Sequence, residues 1–495
     1  MIKRIYIRIL ILGALAGGFV SCGKWLDVQP KTSVEQDDLF ANEYGFKDAL
    51  TGFYLKMGET QLYAQTLTYQ YLDMLAGLYG TAPGISDWAS IYTYDGTYQT
   101  TVDGIYKAMF NIIANINNFL KFVDQNRSVI TTPDYYETMK GEALGLRAFL
   151  HFDLLRLYGP VYSQNPEGKA VPYRTSFDNE ATPILSAREV LDRCIADLLE
   201  AEKLLDGHDS EIFDYDDAAD PFTEMRQMRM NIWAVRAMLA RAYCYKGDAE
   251  SKAKALDYAK AVIDSGKFTL ADTNAWGSSP VTPSEQIFSL YIDEYYKIID
   301  AVFYDVNESS LLAASNDNIR MWFELNGTGS NDIRGGNKGF ETRTVSTGRT
   351  WCISQKYKQD NLSSSRDTYS GINSQPLIRL PEMYYIAAEC EPDPETSLSY
   401  LDEVIHIRSG YTIRISNEGY DQTDTRQIYG QTTGQTVRTN ELMKEYLKEL
   451  YGEGQLFFFY KRFNFKTFSN CPLTDMAAYY QMPLPDDEYT FGNNN

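Results

Sequence analysis

Residues 231–268 read NIWAVRAMLARAYCYKGDAESKAKALDYAKAVIDSGKF, and this stretch decides the fold. Apolar and small residues recur at helical spacing on both sides of Gly247-Asp248, which predicts two helices joined by a turn. Small side chains would let the two helices approach closely at Ala240, Ala255 and Ala259. Tyr243 would fill the gap between them, so the stretch predicts an antiparallel helix hairpin.

A second stretch further along the chain has the same design. Residues 380–390 and 397–408 carry helical patterns that are joined by the short turn Pro392-Asp393-Pro394. The spacing is that of a tetratricopeptide hairpin, although the turn of the first pair is longer than the usual repeat of about 34 residues allows. We therefore expect a mainly α fold in which tetratricopeptide-like helix pairs form a scaffold.

Further helical patterns precede the first hairpin, over residues 46–57, 106–123, 142–158 and 187–205. Gly159-Pro160 ends the third pattern, because proline cannot continue a helix. Ser186 and Glu189 predict a capping box at the start of the fourth. Aromatic stretches rich in Gly, Ser and Asn separate the helices and have no helical period, so we expect long irregular loop insertions.

The N-terminus predicts secretion followed by lipid attachment. An apolar run at residues 9–20 follows the basic residues Lys3, Arg4 and Arg8. The run is shorter than the ~20 residues of a membrane span, so residues 1–21 are predicted to be a signal peptide that is removed. Small residues before Cys22 suit a lipoprotein processing site; an ordinary secretory signal with an incidental cysteine is the alternative. Residues 22–40 would then form a lipid anchor and arm, and residues 41–495 a single domain.

Composition and spacing argue against several other classes of protein. The formal net charge is −21 and no basic stripe offsets it, so the chain should repel nucleic acid. The cysteines beyond Cys22 are widely spaced and odd in number, which implies no disulfide framework. The histidines lie far apart in sequence, so neither a metal nor a cofactor is expected.

One acidic run could bind a hard cation such as calcium through Asp214, Asp216, Asp217 and Asp220. The spacing fits no EF-hand loop, so we interpret the run as a solvated acidic loop and keep calcium as the alternative. Paired carboxylates of a glycosidase are the main enzymatic alternative. The chain carries neither a Gly-x-Ser-x-Gly nucleophile elbow nor a phosphate-binding glycine loop in a strand-to-helix setting, and no catalysis is expected.

Six stretches carry a family resemblance: Cys22 with Trp25-Leu26-Asp27-Val28-Gln29-Pro30; residues 106–117; Arg147-Ala148-Phe149 through Tyr158-Gly159-Pro160-Val161; Ser265-Gly266-Lys267-Phe268 with Glu285-Gln286-Ile287-Phe288-Ser289-Leu290; Ile378-Arg379-Leu380-Pro381-Glu382 with Ala387-Ala388-Glu389; and Met482-Pro483-Leu484-Pro485. Their order resembles the SusD/RagB-like nutrient-binding lipoproteins of Bacteroidetes-type bacteria. The resemblance implies an outer-membrane lipoprotein at the cell surface. It would capture a glycan and deliver that glycan to a SusC-like TonB-dependent transporter.

The chain departs from the family pattern near its C-terminus. Family members commonly carry two arginines and an aspartate where this chain has Tyr446, Leu456 and Phe459. We expect side-chain packing to replace a buried polar network at these positions, which need not cost stability. The departure marks a divergent branch of the family.

Three aromatic loops form the predicted ligand site, because sugar binding uses flat aromatic faces with polar groups beside them. The first loop, residues 84–101, falls where the family usually places part of its site and holds Asp87, Trp88, Tyr92, Tyr94 and Tyr98. The second follows Leu290 and carries Asp293, Tyr295 and Tyr296. The third, residues 316–351, holds Trp322, Asn331, Asp332, Arg334 and Trp351.

The sequence is also consistent with structural roles for these aromatic residues and with other classes of ligand. Trp88 could instead be a packed loop anchor, and at most one of the adjacent Tyr295 and Tyr296 is expected to face a ligand. A peptide-capturing relative would use backbone hydrogen bonds in a deep cleft, whereas a repeat scaffold would bind only another protein. The particular sugar is not encoded in any motif.

Overall fold

The computed structural model describes residues 37–492, apart from residues 80–87, 210, 214–219, 221, 305–306, 308–309, 347, 360–370 and 413–415. The chain is mainly helical, which confirms the predicted fold class. The α-helices of four residues or more are α1 (Glu43–Met57), α2 (Tyr71–Leu75), α3 (Trp88–Thr93), α4 (Thr97–Gln125), α5 (Tyr135–Tyr158), α6 (Ala187–Leu205), α7 (Ile232–Lys246), α8 (Ala249–Asp264), α9 (Thr273–Ser278), α10 (Tyr295–Ile299), α11 (Asn316–Trp322), α12 (Leu380–Cys390), α13 (Pro394–Ser409), α14 (Val437–Glu449), α15 (Gln455–Arg462) and α16 (Asp486–Phe491). A π-helix, Asp300–Tyr304, follows α10.

Short antiparallel strands connect some of these helices. The strands are β1 (Lys169–Pro172), β2 (Ile184–Ser186), β3 (Gln286–Tyr291), β4 (Ala314–Ser315), β5 (Phe340–Thr344), β6 (Thr350–Ser354) and β7 (Ser374–Arg379). β1 pairs with β2, β3 pairs with β7, and β6 lies between β4 and β5. The β3–β7 pair brings two distant parts of the chain together, because Gln286 lies opposite Arg379.

The long helices pack in the order in which they occur. α4 contacts α5, α5 contacts α6, α6 contacts α7, and α7 contacts α8. α8 then packs against α12, which forms a hairpin with α13. This run of stacked helix pairs is the predicted tetratricopeptide-like scaffold.

The α7–α8 hairpin forms as its sequence predicts. Gly247 ends α7 at a φ of 77°, in the left-handed region that glycine adopts at low cost. The side chain of Asp248 then caps α8 by accepting a hydrogen bond from the N–H of Ser251 at 3.0 Å. Tyr243 and Tyr258 stack between the two helices with ring centroids 6.1 Å apart.

The other predicted helices are present, and three of them begin earlier than predicted, including α1, which begins at Glu43 and not at residue 46. The capping box of Ser186 and Glu189 opens α6 as predicted, and Gly159 ends α5. α4 begins at Thr97 and α5 at Tyr135, whereas the sequence patterns began at residues 106 and 142. The first turn of α4 is polar and largely exposed, so the apolar periodicity begins only after the helix has started.

The three predicted aromatic loops contain regular structure, which corrects the expectation of irregular insertions at these places. α3 and the first turn of α4 lie in the first loop, α10 lies in the second, and α11 with β5 and β6 in the third. These elements span five to seven residues, which is too short for a hydrophobic period to appear in the sequence. α11 is capped by Ser315, whose hydroxyl accepts from the N–H of Asn318 at 3.1 Å.

Several residues discussed at the level of sequence take ordinary structural positions. Cys194, Cys244 and Cys390 are buried, as their helical patterns predicted. Asp220 forms an ion pair with Lys47 and accepts a hydrogen bond from the hydroxyl of Tyr135 at 2.9 Å. Cys22, Asp87 and Asp214–Asp217 lie outside the described residues. Within the described ranges, no helix combines the length and the apolar character that a membrane span requires.

A cluster of buried ion pairs lies where α14 meets the β7–α12 junction. Glu449, at the end of α14, accepts hydrogen bonds from Arg379 at 2.8 Å, from Arg408 at 3.0 Å and from Arg334 at 3.0 Å. Burial alone would raise the pKa of Glu449, but the charges of Arg408, Arg379 and Arg334 hold that pKa well below its usual value. Glu449 is therefore an ionised carboxylate inside the protein.

Further buried acidic and basic side chains extend this cluster. Glu285 accepts from Arg379 at 2.8 Å and from Arg408 at 2.6 Å. Lys356 contacts Glu453 at 2.7 Å, and Arg334 contacts Asp332 at 2.7 Å and Glu445 at 2.9 Å. We use the name buried ion cluster for these buried side chains: Glu285, Asp332, Arg334, Lys356, Arg379, Arg408, Glu445, Glu449 and Glu453.

The departure from the family pattern lies beside this cluster. Tyr446, Leu456 and Phe459 are buried, and the rings of Tyr446 and Phe459 pack with centroids 4.7 Å apart. Packing has therefore taken the place of charge at these three positions, as expected. Buried ion pairs persist close by, because Arg241 contacts Glu382 at 2.6 Å.

We predict that Glu449→Gln will lower the free energy of unfolding by about 3–5 kcal/mol, because it leaves buried arginines without one of their counter-charges. Urea denaturation of the purified protein measures this change. The control is Glu250→Gln, which removes an exposed partner of Lys254 on α8 and should leave the unfolding midpoint almost unchanged. Equal effects of the two substitutions would contradict the structural role of the cluster.

Candidate ligand-binding loop cluster

Residues 62–79 anchor the three predicted loops, and we call them the anchoring segment. The hydroxyl of Tyr71 donates to the carbonyl of Ile91 at 3.2 Å, in the first loop. The hydroxyl of Tyr295 in the second loop donates to the carbonyl of Ala64 at 3.2 Å. The third loop reaches the segment through one intermediary: Trp322 donates to Ser469 at 3.1 Å, and the next residue, Asn470, donates to the carbonyl of Gly77 at 2.8 Å.

These contacts gather the loops around one part of the molecule, and we call residues 88–98, 291–299 and 316–328 the loop cluster. The anchoring segment is itself tied to the turn that follows α14. The buried carboxyl group of Asp73 accepts from the N–H groups of Gly452 at 2.8 Å and Gly454 at 3.2 Å. Gly454 has a φ of 70°, and a Cβ there would lie 2.4 Å from the carbonyl oxygen of Leu67, so only glycine fits.

Most of the aromatic residues predicted to face a ligand lie in the interior. Tyr92 and Tyr94 are buried, and their hydroxyls donate to the carbonyls of Met74 at 3.3 Å and Tyr479 at 2.5 Å. A buried ring offers no face to a sugar in this conformation. The sequence predicted that these tyrosines lie on a surface loop. The structure corrects this prediction, because Tyr92 on α3 and Tyr94 directly after it are both buried in the core.

The same correction applies to the second and third loops. Tyr295, Trp322 and Trp351 are almost completely buried, while Asp332 and Arg334 belong to the buried ion cluster. Among Asp293, Tyr296 and Asn331, all of which are exposed, only Tyr296 presents an aromatic ring. Of the adjacent tyrosines, one therefore points inward and one outward, as their spacing predicted.

The first loop offers one further ring at the surface. Tyr98 is half-buried and stacks on Tyr71, with the ring centroids 5.6 Å apart and the planes 11° from parallel. Trp88 opens α3, and its side chain lies outside the described part of the chain.

Two tyrosines of the second loop are exposed. Tyr291 is 49% exposed and Tyr296 is 45% exposed. Asn373 supports this loop at two points, because its side-chain N–H donates to the hydroxyl of Tyr291 at 3.2 Å and its side-chain oxygen accepts from the N–H of Tyr295, the residue before Tyr296, at 3.2 Å. Sequence reasoning missed Tyr291, although its place at the end of a buried strand was a usable signal.

An open hollow of about 640 Å³ lies beside α11. Because α11 turns Trp322 inward, its neighbours Arg320 and Met321 face this hollow together with Asp317, Glu324 and Asn326. The guanidinium, amide and carboxylate groups can exchange hydrogen bonds with hydroxyls, and Met321 adds an apolar patch. The arrangement suits reversible binding of a hydroxyl-rich ligand.

The fold is a helical scaffold that gathers several loops around one part of the molecule. A family model described as starch-binding and associating with the outer membrane matches residues 24–244, and the model of the SusD family matches residues 246–494. The chain belongs to the SusD family. Members of this family are binding proteins that associate with the outer membrane.

The chain is also similar to an individual relative in sequence and to solved structures in fold. The SusD-like protein P38 of Formosa agariphila is 26% identical over 208 residues, and the match covers 41% of this chain and 38% of that relative. A SusD superfamily protein from Bacteroides thetaiotaomicron shares the fold with a TM-score of 0.67 at 20% identity, covering 92% of this chain and 97% of that chain. For B. fragilis NanU the TM-score is 0.63 at 16% identity, with 94% and 97% covered.

We predict that Trp322→Ala will destabilise the protein by about 3–5 kcal/mol, because it empties a buried site in the loop cluster. Met321→Ala is the matched control on the same helix, and it should leave the unfolding midpoint nearly unchanged since Met321 is exposed. Thermal unfolding of both variants measures the difference. A larger loss for Met321→Ala would mean that α11 presents the opposite face to the hollow.

Proposed function

We propose that this protein captures glycans at the cell surface and delivers them to a SusC-like TonB-dependent transporter in the outer membrane. The observation that carries the proposal is that Tyr291 and Tyr296 are exposed on the second loop, where Asn373 forms hydrogen bonds with the hydroxyl of Tyr291 and the N–H of Tyr295. Exposed aromatic faces fixed by a polar support are what a sugar platform needs, since ring faces pack against C–H patches of the sugar. The family match gives independent support for carbohydrate binding.

The loop cluster provides the other parts of such a site. Arg320, Asp317 and Asn326 in the hollow would exchange hydrogen bonds with sugar hydroxyls. Trp88, Tyr98 and Asp87 would extend the surface from the first loop. Five aromatic residues of the predicted ligand site are buried, and they would hold the loops in place: Tyr92, Tyr94, Tyr295, Trp322 and Trp351.

Anchoring and processing complete the proposal. A leader of residues 1–21 would be removed, Cys22 would carry the lipid, and residues 22–40 would connect the anchor to a single capture domain of residues 41–495. Several acyl chains on Cys22 would hold the protein at the membrane, because one chain binds only marginally. The protein would act without catalysis, cofactor or nucleic acid.

We predict that Tyr291→Ala and Tyr296→Ala will each weaken glycan binding about tenfold, because loss of one stacking face removes about 1 kcal/mol or more of contact. Isothermal calorimetry with a panel of oligosaccharides and a peptide mixture measures this loss. Tyr44→Ala is the control, since Tyr44 is an exposed tyrosine on α1, outside the loop cluster. Binding of peptides but of no oligosaccharide would replace glycan capture with peptide capture.

We predict that Cys22→Ser will move the protein from the membrane fraction to the soluble fraction, because it removes the thiol that would be acylated. Cell fractionation and incorporation of labelled palmitate measure the change. The control is Cys471→Ser, which replaces a half-buried thiol and should leave attachment intact. Acylation of the Cys22→Ser protein would show that the anchor lies elsewhere. Co-purification of the anchored protein with a transporter tests the partner.

A further inference from the structure

A second ligand-sized concavity lies on a different part of the molecule. It is a cleft of about 650 Å³ between α4, the loop that joins β1 to β2, and the C-terminal helix α16. Its volume falls in the range of small-ligand sites. Phe110 in this cleft lies about 20 Å along α4 from Thr97, at about 1.5 Å per residue, so the cleft is separate from the loop cluster. We call it the α4 cleft.

Two phenylalanines line the α4 cleft, one on each wall. Phe110 projects from α4 and is half-buried, with its ring packed against Tyr106 at a centroid distance of 4.6 Å. Phe177 lies on the loop between β1 and β2 and is 43% exposed. The exposed ring of Phe177 leaves apolar surface in water, and a ligand stacked on that ring would cover it.

The loop that carries Phe177 is held from beneath by buried polar side chains. Asn117 donates from its side chain to the carbonyls of Arg174 at 3.0 Å and Ser176 at 3.4 Å. The N–H of Arg174 donates to Nε2 of His151 at 3.1 Å. Burial lowers the pKa of His151 to about 3, so the ring is neutral and Nε2 stays an acceptor while Nδ1 donates to the carbonyl of Arg147.

The side chain of Arg174 fixes the rest of the loop. It donates to the carbonyls of Glu180 at 3.0 Å and Asp178 at 2.9 Å, and to the carboxylate of Asp178 at 3.0 Å. The hydrogen bonds from Asn117 and to His151 satisfy backbone groups of this loop that would otherwise be buried without partners. Support of this kind holds a binding surface in a single conformation and so reduces the entropy lost on binding.

The charges around the α4 cleft restrict the ligand. Four carboxylates line it, from Asp178, Glu180, Asp487 and Glu488, against the two cations of Lys107 and Arg174. Each cation already contacts a carboxylate of the same cleft: Lys107 contacts Asp487 at 3.1 Å, and Arg174 contacts Asp178 at 3.0 Å. The surplus of negative charge repels anionic ligands, while carboxylate oxygens are strong acceptors for hydroxyl groups.

We propose that the α4 cleft is a second saccharide site, in which a neutral sugar lies between Phe110 and Phe177 and donates its hydroxyl hydrogens to the carboxylates of the rim. The inference rests on the proposed function for the class of ligand. It does not depend on the loop cluster, because the two sites share no residue. A long neutral glycan could therefore be held at two places, or two glycan chains could be held at once.

Calorimetry with maltoheptaose, cellohexaose, xylohexaose and trigalacturonate tests this proposal on the full mature chain. Phe177→Ala should lower the affinity of one class of site for a neutral oligosaccharide by tenfold or more, or abolish binding at that class. The heat measured on adding trigalacturonate should not change. Ala114→Trp, which blocks the cleft from the α4 wall, should have the same effect. Tyr489→Ala is the control, because Tyr489 is an exposed aromatic on α16 that does not line the cleft.

The outcomes separate the two sites. If Phe177→Ala loses binding while the site that depends on Tyr291 and Tyr296 is unchanged, the proposal for the α4 cleft is supported. If both Phe177→Ala and Ala114→Trp bind neutral oligosaccharides as the wild-type protein does, the proposal for the α4 cleft is overturned. The proposed function still stands in that case if Tyr291→Ala and Tyr296→Ala lose affinity. If binding depends only on Phe177, the α4 cleft is supported as a saccharide site and the loop cluster is overturned as one. If the wild-type protein binds no neutral oligosaccharide, the result counts against both sites.

Discussion

The buried ion cluster around Glu449 is the constraint on which the rest of the structure depends. A carboxylate inside a protein is tolerable only when every charge around it is paired in good geometry. Glu449 meets that condition by joining Arg334, Arg379 and Arg408, which come from three distant parts of the chain. The end of α14, the β7–α12 junction and the end of α13 therefore have one relative arrangement that leaves no buried charge uncompensated.

This constraint reaches the proposed glycan site through the turn after α14. Glu453 pairs with Arg379 and Lys356, and the neighbouring N–H groups of Gly452 and Gly454 donate to the buried carboxyl group of Asp73. Asp73 belongs to the anchoring segment, from which Ala64 and Gly77 reach the loops. The divergent residue Tyr446 lies on the same helix as Glu449 without disturbing this connection, because it packs on Phe459 instead.

The loop cluster and the α4 cleft follow one design, in which polar groups fix the backbone that presents an aromatic ring. Asn373 does this in the second loop through the N–H of Tyr295 and the hydroxyl of Tyr291, and Asn117 with His151 does it beneath the loop of Phe177. Because the supporting hydrogen bonds are made before a ligand arrives, binding would need little reordering of the protein. Among their lining residues both surfaces carry more carboxylates than cations, since the α4 cleft has four against two and the hollow beside α11 has Asp317 and Glu324 against Arg320.

The sequence by itself determined the helical scaffold, because caps such as Ser186 and Asp248, the turn at Gly247 and the 3.6-residue period are local properties of the chain. It also determined which loops are rich in aromatic residues. Only the tertiary structure decided which rings are exposed: Tyr291 and Tyr296 are, whereas Tyr295 and Trp322 are not. The direction of a side chain in a short element depends on contacts with distant residues such as Ala64 and Ser469, and no local pattern records those contacts.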